Sequence, residues 1–459
     1  MLPNRPRLRD RVLVRRHLGE LDQVVLHDQA SCHVLKILPV QWQVLALADG
    51  TRDVEGIALA AGAIGIATAP AHLAEFLAHL DAKGLLTDGP VEAAVDDEEI
   101  DEDLLDVVVE GIPGWTLRCS GRGACCESFP TVQFSAREAR RALVLLEDEP
   151  HDFYPQRGIP REGGAVAPVM IQGRCRYFDE SRRCSLQARG GVEAKPAGCR
   201  AFPMQKIWDG ETIRAGFTFE CACVVDGIGL EGGEPPLPGG ARILRDAPRI
   251  VPVGRVPEQV GLRGSEHASR AQVRRFYRDL AEQPAPADVA SGLWAVGLAL
   301  AKGGLEGAAA AYGRPPSVAV EEVRASLREL RRSVSAWREP LGTFRAPSDF
   351  TRVGLDWIVE AADRILDSDL PPPPGPETRE AEVEAFYVVA TSWGYADALG
   401  RVPLAHAFPI RALRVWLARA IAAAPPADPR AVEPLTVVEV LFRAVGLDSY
   451  AAPDLEVDP

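Results

Sequence analysis

The residues best suited to chemistry in this 459-residue sequence are its cysteines. Eight of the nine lie between Cys119 and Cys223, and no cysteine follows as far as Pro459. Cysteines used only for packing have no reason to gather, so the set indicates either disulfides or a metal site. The eight candidate ligands are Cys119, Cys125, Cys126, Cys175, Cys184, Cys199, Cys221 and Cys223.

Length and targeting signals favour metal over disulfides. A chain of this length can form several domains with cores of their own and needs no crosslinks to compensate for small size. The basic segment from Arg5 to Arg16 is not followed by an apolar core, and the best apolar run, Leu293 to Ala301, is too short to span a bilayer. We therefore expect a cytoplasmic protein without a membrane partner, whose thiols stay reduced and bind metal.

The residue types around these thiols narrow the choice of metal. The only histidine in the segment is His151, so the site should be mostly thiolate, which suits structural zinc or an iron–sulfur cluster. The adjacent Cys125 and Cys126 and the C-x-C pair of Cys221 and Cys223 fit a cluster somewhat better than zinc. Eight thiols could serve two four-ligand sites, or one site with additional packing cysteines.

Charge distinguishes the cysteine segment from the rest of the chain. The whole chain carries 51 basic and 65 acidic residues, a net charge of −14, which argues against a nucleic-acid partner. Residues 112–225 instead hold 16 basic and 13 acidic residues, a net of +3. Arginines such as Arg122 and Arg200 lie beside the cysteines, where they would lower thiol pKa and offset the negative charge of a thiolate site.

Short strands are expected to present the later cysteines. Residues 170–175 and 183–186 predict a hairpin that displays Cys175 and Cys184. Residues 212–219 predict a strand that leads directly to the last two cysteines of the set.

The cysteine segment resembles a known family over residues 115–230. Its pattern is similar to that of the YkgJ-type cysteine-cluster family, described as zinc- or iron-chelating domains. Arg122 stands where that family has a further cysteine, and Cys221 or Cys223 could replace it. The residues that match the family pattern are Cys119, Gly123, Cys125, Cys126, Cys175, Phe178, Asp179, Cys184, Ser185, Leu186, Pro196, Cys199, Arg200, Phe202 and Pro203.

The N-terminal segment carries a second resemblance. Short strands at residues 24–27 and 33–37 precede three predicted helices, which is the outline of a winged helix. Residues 47–57 and 76–86, which include Asp49-Gly50-Thr51-Arg52-Asp53-Val54, resemble PqqD-like peptide-recognition domains. The resemblance implies a peptide partner that binds along a strand edge.

The predicted fold is α+β and mainly α, with a winged-helix-like domain, an irregular cysteine-rich domain and an all-helical domain. After residue 259 we expect amphipathic helices in which Tyr387 and His406 are satisfied packing residues, with no catalytic motif or carboxylate constellation. Helices are predicted at residues 268–283, 287–311, 318–337, 349–366, 380–398, 409–424 and 432–445. The predicted organisation is a PqqD-like domain (1–90), an acidic linker (91–114), the cysteine-cluster domain (115–230), a Gly/Pro linker (231–258) and a helical domain (259–459).

Two functions follow from these patterns. The first is a metal-binding protein that chelates an iron–sulfur cluster or zinc and recognises or acts on a peptide. The alternative is an enzyme, because a cysteine cluster followed by helices resembles the flagellin lysine-N-methylases. That resemblance implies methyl transfer from S-adenosylmethionine to a protein lysine, although no catalytic or methyl-donor residue can be assigned.

Overall fold

The computed structural model of this protein contains two compact units, each formed from several chain segments. Unit 1 comprises residues 1–101, 129–179 and 184–196, and unit 2 comprises residues 102–128, 180–183 and 197–459. The structure describes residues 2–9, 12–18, 23–28, 34–88, 107–112, 115–117, 126, 134–146, 153–155, 165–168, 170, 171, 174–181, 183–228, 253–315, 317–341, 350–399, 402–427, 433–445 and 447. The described part is mainly helical with small sheets, as the predicted fold class requires.

Unit 1 begins with an antiparallel meander and three helices. Strands β2, β3 and β4 pair in order, and β1 pairs separately with β5. The elements are β1 (Pro6–Leu8), β2 (Val12–Leu18), β3 (Gln23–Asp28), β4 (Val34–Ile37), α1 (Pro39–Ala46), α2 (Val54–Ala63), α3 (Pro70–Ala82) and β5 (Leu86–Asp88). The core packs leucines of α1 and α3, including Leu45, Leu77 and Leu80, against Val14 and Leu26 of the sheet. The three predicted helices are therefore confirmed, and the meander has three strands where two were predicted.

The sequence explains where these helices begin. Pro39 and Pro70 occupy the first helical positions, where the absent N–H has no intrahelical acceptor to lose. At the start of α2 the Asp53 carboxylate accepts a hydrogen bond from the Gly56 amide at 2.8 Å. This contact satisfies one of the unpaired amides of the first turn.

In the rest of unit 1, the described residues form short strands and two α-helices. A three-stranded sheet has the order β7-β9-β8. Strand β10 pairs in parallel with β2 and so extends the sheet of the meander. The elements are β7 (Phe134–Ser135), α4 (Ala136–Leu145), β8 (Phe153–Pro155), β9 (Ala165–Pro168), β10 (Met170–Ile171), β11 (Arg174–Cys175) and α5 (Ser185–Gly190). The strand predicted at 183–186 is wrong, because Ser185 and Leu186 begin α5.

Unit 2 contains a four-stranded sheet with the order β14-β12-β13-β6. Strands β12 (Met204–Trp208) and β13 (Ile213–Phe217) form an antiparallel hairpin, and β6 (Val109–Gly111) and β14 (Val253–Arg255) pair with them in parallel. Helix α6 (Ala197–Ala201) precedes the hairpin and α7 (Ala222–Asp226) follows it. A second hairpin pairs β15 (Gln259–Arg263) with β16 (Glu266–Ser269).

Eight longer or connecting helices complete the described part of unit 2. They are α8 (Arg270–Ala281), α9 (Val289–Gly303), α10 (Ala308–Gly313), α11 (Val320–Leu341), α12 (Phe350–Asp367), α13 (Arg379–Trp393), α14 (Leu404–Ala423) and α15 (Pro434–Val445). The single helix predicted at 287–311 is wrong: the chain breaks between α9 and α10, where Gly304 and Gly307 both have a φ of 70°. This left-handed conformation is one that glycine adopts without strain.

Helix α14 lies at the centre of unit 2. It contacts α9, α12, α15 and β15, and 16 of its residues are buried. A helix with apolar residues on all its sides is expected to be enclosed by protein. The ring centroids of Trp416 in α14 and Trp294 in α9 lie 5.8 Å apart. The predicted start at Pro409 is wrong, since α14 begins at Leu404 and holds Pro409 within it.

The close approach of α9 to α14 leads to a stability prediction. A methyl group added at Gly297 would lie 2.3 Å from two ring carbons of Pro409 and 2.9 Å from the Ala405 carbonyl oxygen. We expect Gly297→Ala to lower the free energy of unfolding by about 2 kcal/mol or more, because both helices must shift. Urea denaturation would measure the change.

The matched control lies in the same helix. At Gly303 an added methyl group meets no atom within 4 Å, so Gly303→Ala should leave stability unchanged or raise it by up to about 1 kcal/mol. Equal losses in the two variants would contradict the steric explanation and would indicate a general intolerance of α9 to side chains.

Candidate functional site

Three of the predicted ligands lie at one end of the β12–β13 hairpin. Met204 pairs with Phe217, and beyond this pair the Thr218 amide donates to the Pro203 carbonyl at 2.9 Å. Cys199 lies in α6, just before that end of the hairpin, and Cys221 and Cys223 follow it at the start of α7. The hairpin therefore brings an earlier and a later part of the cysteine set to the same end of the sheet.

The environment of these three thiols differs between α6 and α7. Cys221 and Cys223 are buried, at 5% and 6% exposure, and Cys199 is half-buried. Cys221 is the residue that precedes the first turn of α7, and its carbonyl accepts the Val224 amide at 2.9 Å. The predicted strand leading to Cys221 is confirmed as β13 and its continuation.

Two further ligands lie in unit 1. Cys175 ends β11 and is buried, whereas Cys184 is half-buried and directly precedes α5. The turn between them is closed by pairing of Phe178 with Cys184 and by a 2.9 Å hydrogen bond from the Phe178 amide to the Cys175 carbonyl. The predicted β-hairpin is thus replaced by a turn that leads into a helix, and it still holds both cysteines.

The remaining cysteines divide into described and undescribed positions. Cys126 is described as half-buried, while Cys119, Cys125 and the isolated Cys32 lie outside the described residues. All six described cysteines of the set are thiols. Within the described part of the chain, no three His, Cys, Asp or Glu side chains are grouped in a way that could hold a metal ion.

The same sheet buries a lysine, which gives a pH-dependent prediction. Lys206 lies in β12 at 3% exposure, and burial lowers its pKa from 10.5 to about 7. Between these two values the unfolded chain binds the proton and the folded chain does not, so stability rises with pH. From pH 7 to pH 9 this lysine should add about 2 kcal/mol to the free energy of unfolding.

The comparison that isolates Lys206 is Lys206→Met. The variant should lose this part of the rise between pH 7 and pH 9 and should be more stable than the wild-type protein at pH 7, because no charge is then buried. Urea denaturation at several pH values would show it. If the free energy of unfolding changes with pH in the same way in both proteins, burial does not lower the pKa of Lys206.

Sequence reasoning missed a polar cavity in unit 2. It has a volume of about 90 Å³ and is bounded by β12, by the segment after β13 that leads to Cys221, and by helices α13, α14 and α15. Its polar lining residues are Gln205, Thr218, Glu220, Thr391, Asp397, Arg411, Arg414 and Glu439. Phe217, Phe219 and Ile410 supply part of the apolar wall.

A chain of buried charged groups passes along this cavity. The Nε atom of Arg411 donates to both oxygens of Asp397, at 2.6 and 2.8 Å, and its Nη1 atom donates to the Tyr387 hydroxyl at 3.1 Å. The Tyr387 hydroxyl donates to Glu439 at 2.5 Å, and Nη1 of Arg414 lies 2.9 Å from each oxygen of the same carboxylate. Such pairing and hydrogen bonding stabilise charges that would be costly to bury alone.

The pKa shifts of the side chains in this buried network follow from their burial and their ion pairs. Burial, and then the Glu439 carboxylate, raise the pKa of Tyr387 well above its ordinary value, so the hydroxyl stays protonated and acts as a donor. Burial opposes the charge of Arg411, but the Asp397 carboxylate outweighs it and raises the pKa of the guanidinium. The site therefore holds fixed donors and acceptors at neutral pH.

Sequence reasoning assigned no carboxylate constellation after residue 259, and it did not identify these buried ion pairs. Asp397, Arg411 and Glu439 are far apart in the sequence and meet only when α14 is enclosed. Tyr387 is a satisfied buried residue, as predicted, and also part of the cavity network. The sequence feature that could have indicated this network is the presence of Arg411 and Arg414 in a helix whose other residues are mostly apolar.

Comparisons with known proteins leave the family of this chain open. No protein-family model, no curated protein and no solved structure matches it. Among the helices that the structure describes, none has the length and apolar character needed to cross a membrane.

Proposed function

We propose that this chain is a metal-binding protein whose cysteine cluster chelates an iron–sulfur cluster or zinc. The observation that supports it best is the position of Cys199, Cys221 and Cys223, which come from both sides of the β12–β13 hairpin to the same end of it. A multi-thiolate site draws thiols from distant parts of the sequence, and this hairpin places two such parts at one end of the sheet, although the described side chains alone form no group that could hold the ion.

The donor chemistry of these residues fits such a group. Thiolates are soft ligands and suit zinc and iron, and buried positions such as Cys221 and Cys223 keep competing water away. Arg200, next to Cys199 in α6, supplies positive charge beside the thiols. When bound, the group would crosslink α6 and α7 and would add its binding free energy to folding.

The proposal assigns the other members of the set to the same function. Cys126 belongs to unit 2, as do Cys199 and the α7 cysteines, whereas Cys175 and Cys184 form a second pair in unit 1. Cys119 and Cys125 complete the eight proposed ligands. The number of metal ions or clusters bound per chain would give the number of sites.

Anaerobic purification of the full chain, followed by iron, sulfide and zinc analysis and a visible spectrum, tests the proposal. We expect either iron and sulfide with broad visible absorption or stoichiometric zinc in a colourless sample. Protein that folds with neither metal, and gains none on anaerobic reconstitution, would refute the function.

The N-terminal domain suits a peptide partner. We propose that it is a winged-helix, PqqD-like module. In the described residues, β4 is the terminal strand of the sheet β11-β10-β2-β3-β4. A terminal strand offers backbone groups to which an extended peptide can pair. Peptides selected for binding to the full chain should slow hydrogen exchange at Val34–Ile37; selected peptides that protect only other segments would exclude this mode.

A further inference from the structure

Unit 1 carries an exposed apolar surface on α2 and at the start of α3, two helices that contact each other. Leu59 is 79% exposed, the highest value among the large apolar side chains of the described residues, and Ile64 is 54% exposed. Ala63, one helical turn after Leu59, is exposed as well, and so are Pro70 and Ala71 at the start of α3. We call these five residues the α2 surface. Grouped exposed apolar residues mark interaction sites, whereas single ones are common on any protein.

Charged residues are absent from this part of the sequence. Residues 56–74 contain no Asp, Glu, Lys or Arg, although 25% of the whole chain is charged. Helix α1, which contacts α2, lies in a second uncharged run at residues 37–48 and leaves Val40 46% exposed. Helix faces that remain in water usually carry charged or polar side chains. The composition of the α2 surface is therefore typical of a surface that another molecule covers.

The charges at the border of this surface limit the kind of partner. Anionic membranes and nucleic acids are bound through Lys and Arg side chains. The nearest charged residues along the chain are Glu55 and Glu75, which are both acidic, and Arg52 is paired with Asp49 at 2.8 Å. A strongly charged protein would find no opposite charge on the α2 surface. The surface therefore fits an uncharged apolar partner.

A second copy of this chain offers such a partner. In a two-fold symmetric dimer the same patch of both copies forms the interface, so any charge at its centre would lie close to a like charge. With a net charge of −14, two copies repel each other over most of their surfaces. The α2 surface lets them meet without a like-charge contact, and salt screens the repulsion between more distant residues beyond about 8 Å at physiological ionic strength.

We propose that two copies of this chain associate through the α2 surface, with Leu59 of each copy buried in the interface. A surface of this extent lies at the small end of protein interfaces, so the association is reversible, with a Kd on the order of 10 to 100 μM. The proposal does not depend on the presence of a metal or of a peptide at β4.

Sedimentation velocity of the full chain tests the association, with a reductant present so that no disulfide joins two copies. We expect a monomer that converts to a dimer as the concentration rises from about 1 to about 200 μM. Raising NaCl from about 0.15 to about 0.5 M should lower the Kd by roughly threefold or more, because salt screens the repulsion between acidic chains. A protein that stays monomeric throughout this range, or a dimer that salt weakens, would overturn the proposal.

Two variants locate the interface. Leu59→Lys and Ala63→Lys should each raise the Kd of the dimer by roughly tenfold or more, because a charge would be buried in the interface. A lysine at position 59 can pair with Glu55 one turn earlier in α2, so the variant should remain folded, which circular dichroism would verify. If folded Leu59→Lys dimerises as the wild-type protein does, the α2 surface is not the interface.

Val144→Lys is the matched control. Val144 is 77% exposed in α4, a helix that also carries the exposed Arg141, and its replacement should leave the Kd unchanged. An equal loss of dimer in this variant would contradict an interface confined to α2. Flotation with neutral phosphatidylcholine vesicles tests a lipid as the partner instead: monomeric protein that floats with the vesicles, and Leu59→Lys protein that does not, would reassign the surface to a membrane and overturn the dimer.

Discussion

Replacing Cys221 and Cys223 together by serine is expected to remove most of the metal from anaerobically purified protein. Both thiols are buried at the end of the β12–β13 hairpin, where the proposed site is centred. A serine hydroxyl of similar size stays protonated at neutral pH and is a poor ligand for zinc or iron, so the double variant keeps the shape and loses the donors. Metal per chain and visible absorption are the measurements.

Cys32→Ser is the matched control for this experiment. Cys32 lies far from the cysteine cluster in sequence, so its replacement should leave metal content unchanged. Loss of metal in both variants would indicate a general effect of handling or oxidation. Full metal occupancy in the double variant would show that Cys221 and Cys223 are packing residues and would move the site to the other cysteines.

Local sequence rules account for much of the helical part of the fold. Helix α2 begins where Asp53 can accept the Gly56 amide, and α1 begins at Pro39. These features depend on neighbouring residues, which is why periodicity and capping predict them well. By contrast, the predicted start of α14 at Pro409 is wrong, because this proline, of a type that favours first helical turns, lies inside a helix enclosed by its neighbours and against Gly297.

The candidate site divides in the same way. A strand that leads directly to Cys221 is a local pattern, so the presentation of that cysteine by β13 was predictable from the sequence. The pairing that brings Cys199 to the same hairpin end depends on the register of Met204 with Phe217, which alternation alone does not specify. The cavity could not be derived, because its charged groups meet only through packing of α13, α14 and α15.

Replacing Glu439 by glutamine is expected to lower the free energy of unfolding by about 3 kcal/mol or more. The carboxylate receives Nη1 of Arg414 at 2.9 Å on both oxygens and the Tyr387 hydroxyl at 2.5 Å. Glutamine keeps the size but removes the charge, and it directs an N–H donor toward a guanidinium. Breaking a buried ion pair leaves the remaining charge without full compensation, and this is the source of the loss.

Glu329→Gln provides the control, because Glu329 makes a similar pair with Arg332 on the surface of α11. Its side chain is 47% exposed, so water replaces the lost contact and the change should stay within about 0.5 kcal/mol. Urea denaturation midpoints of the two variants, compared at neutral pH, give the difference. Equal and small shifts would mean that Glu439 is solvated in the folded protein; a large shift confined to Glu439 would support a protected charge network beside the cavity.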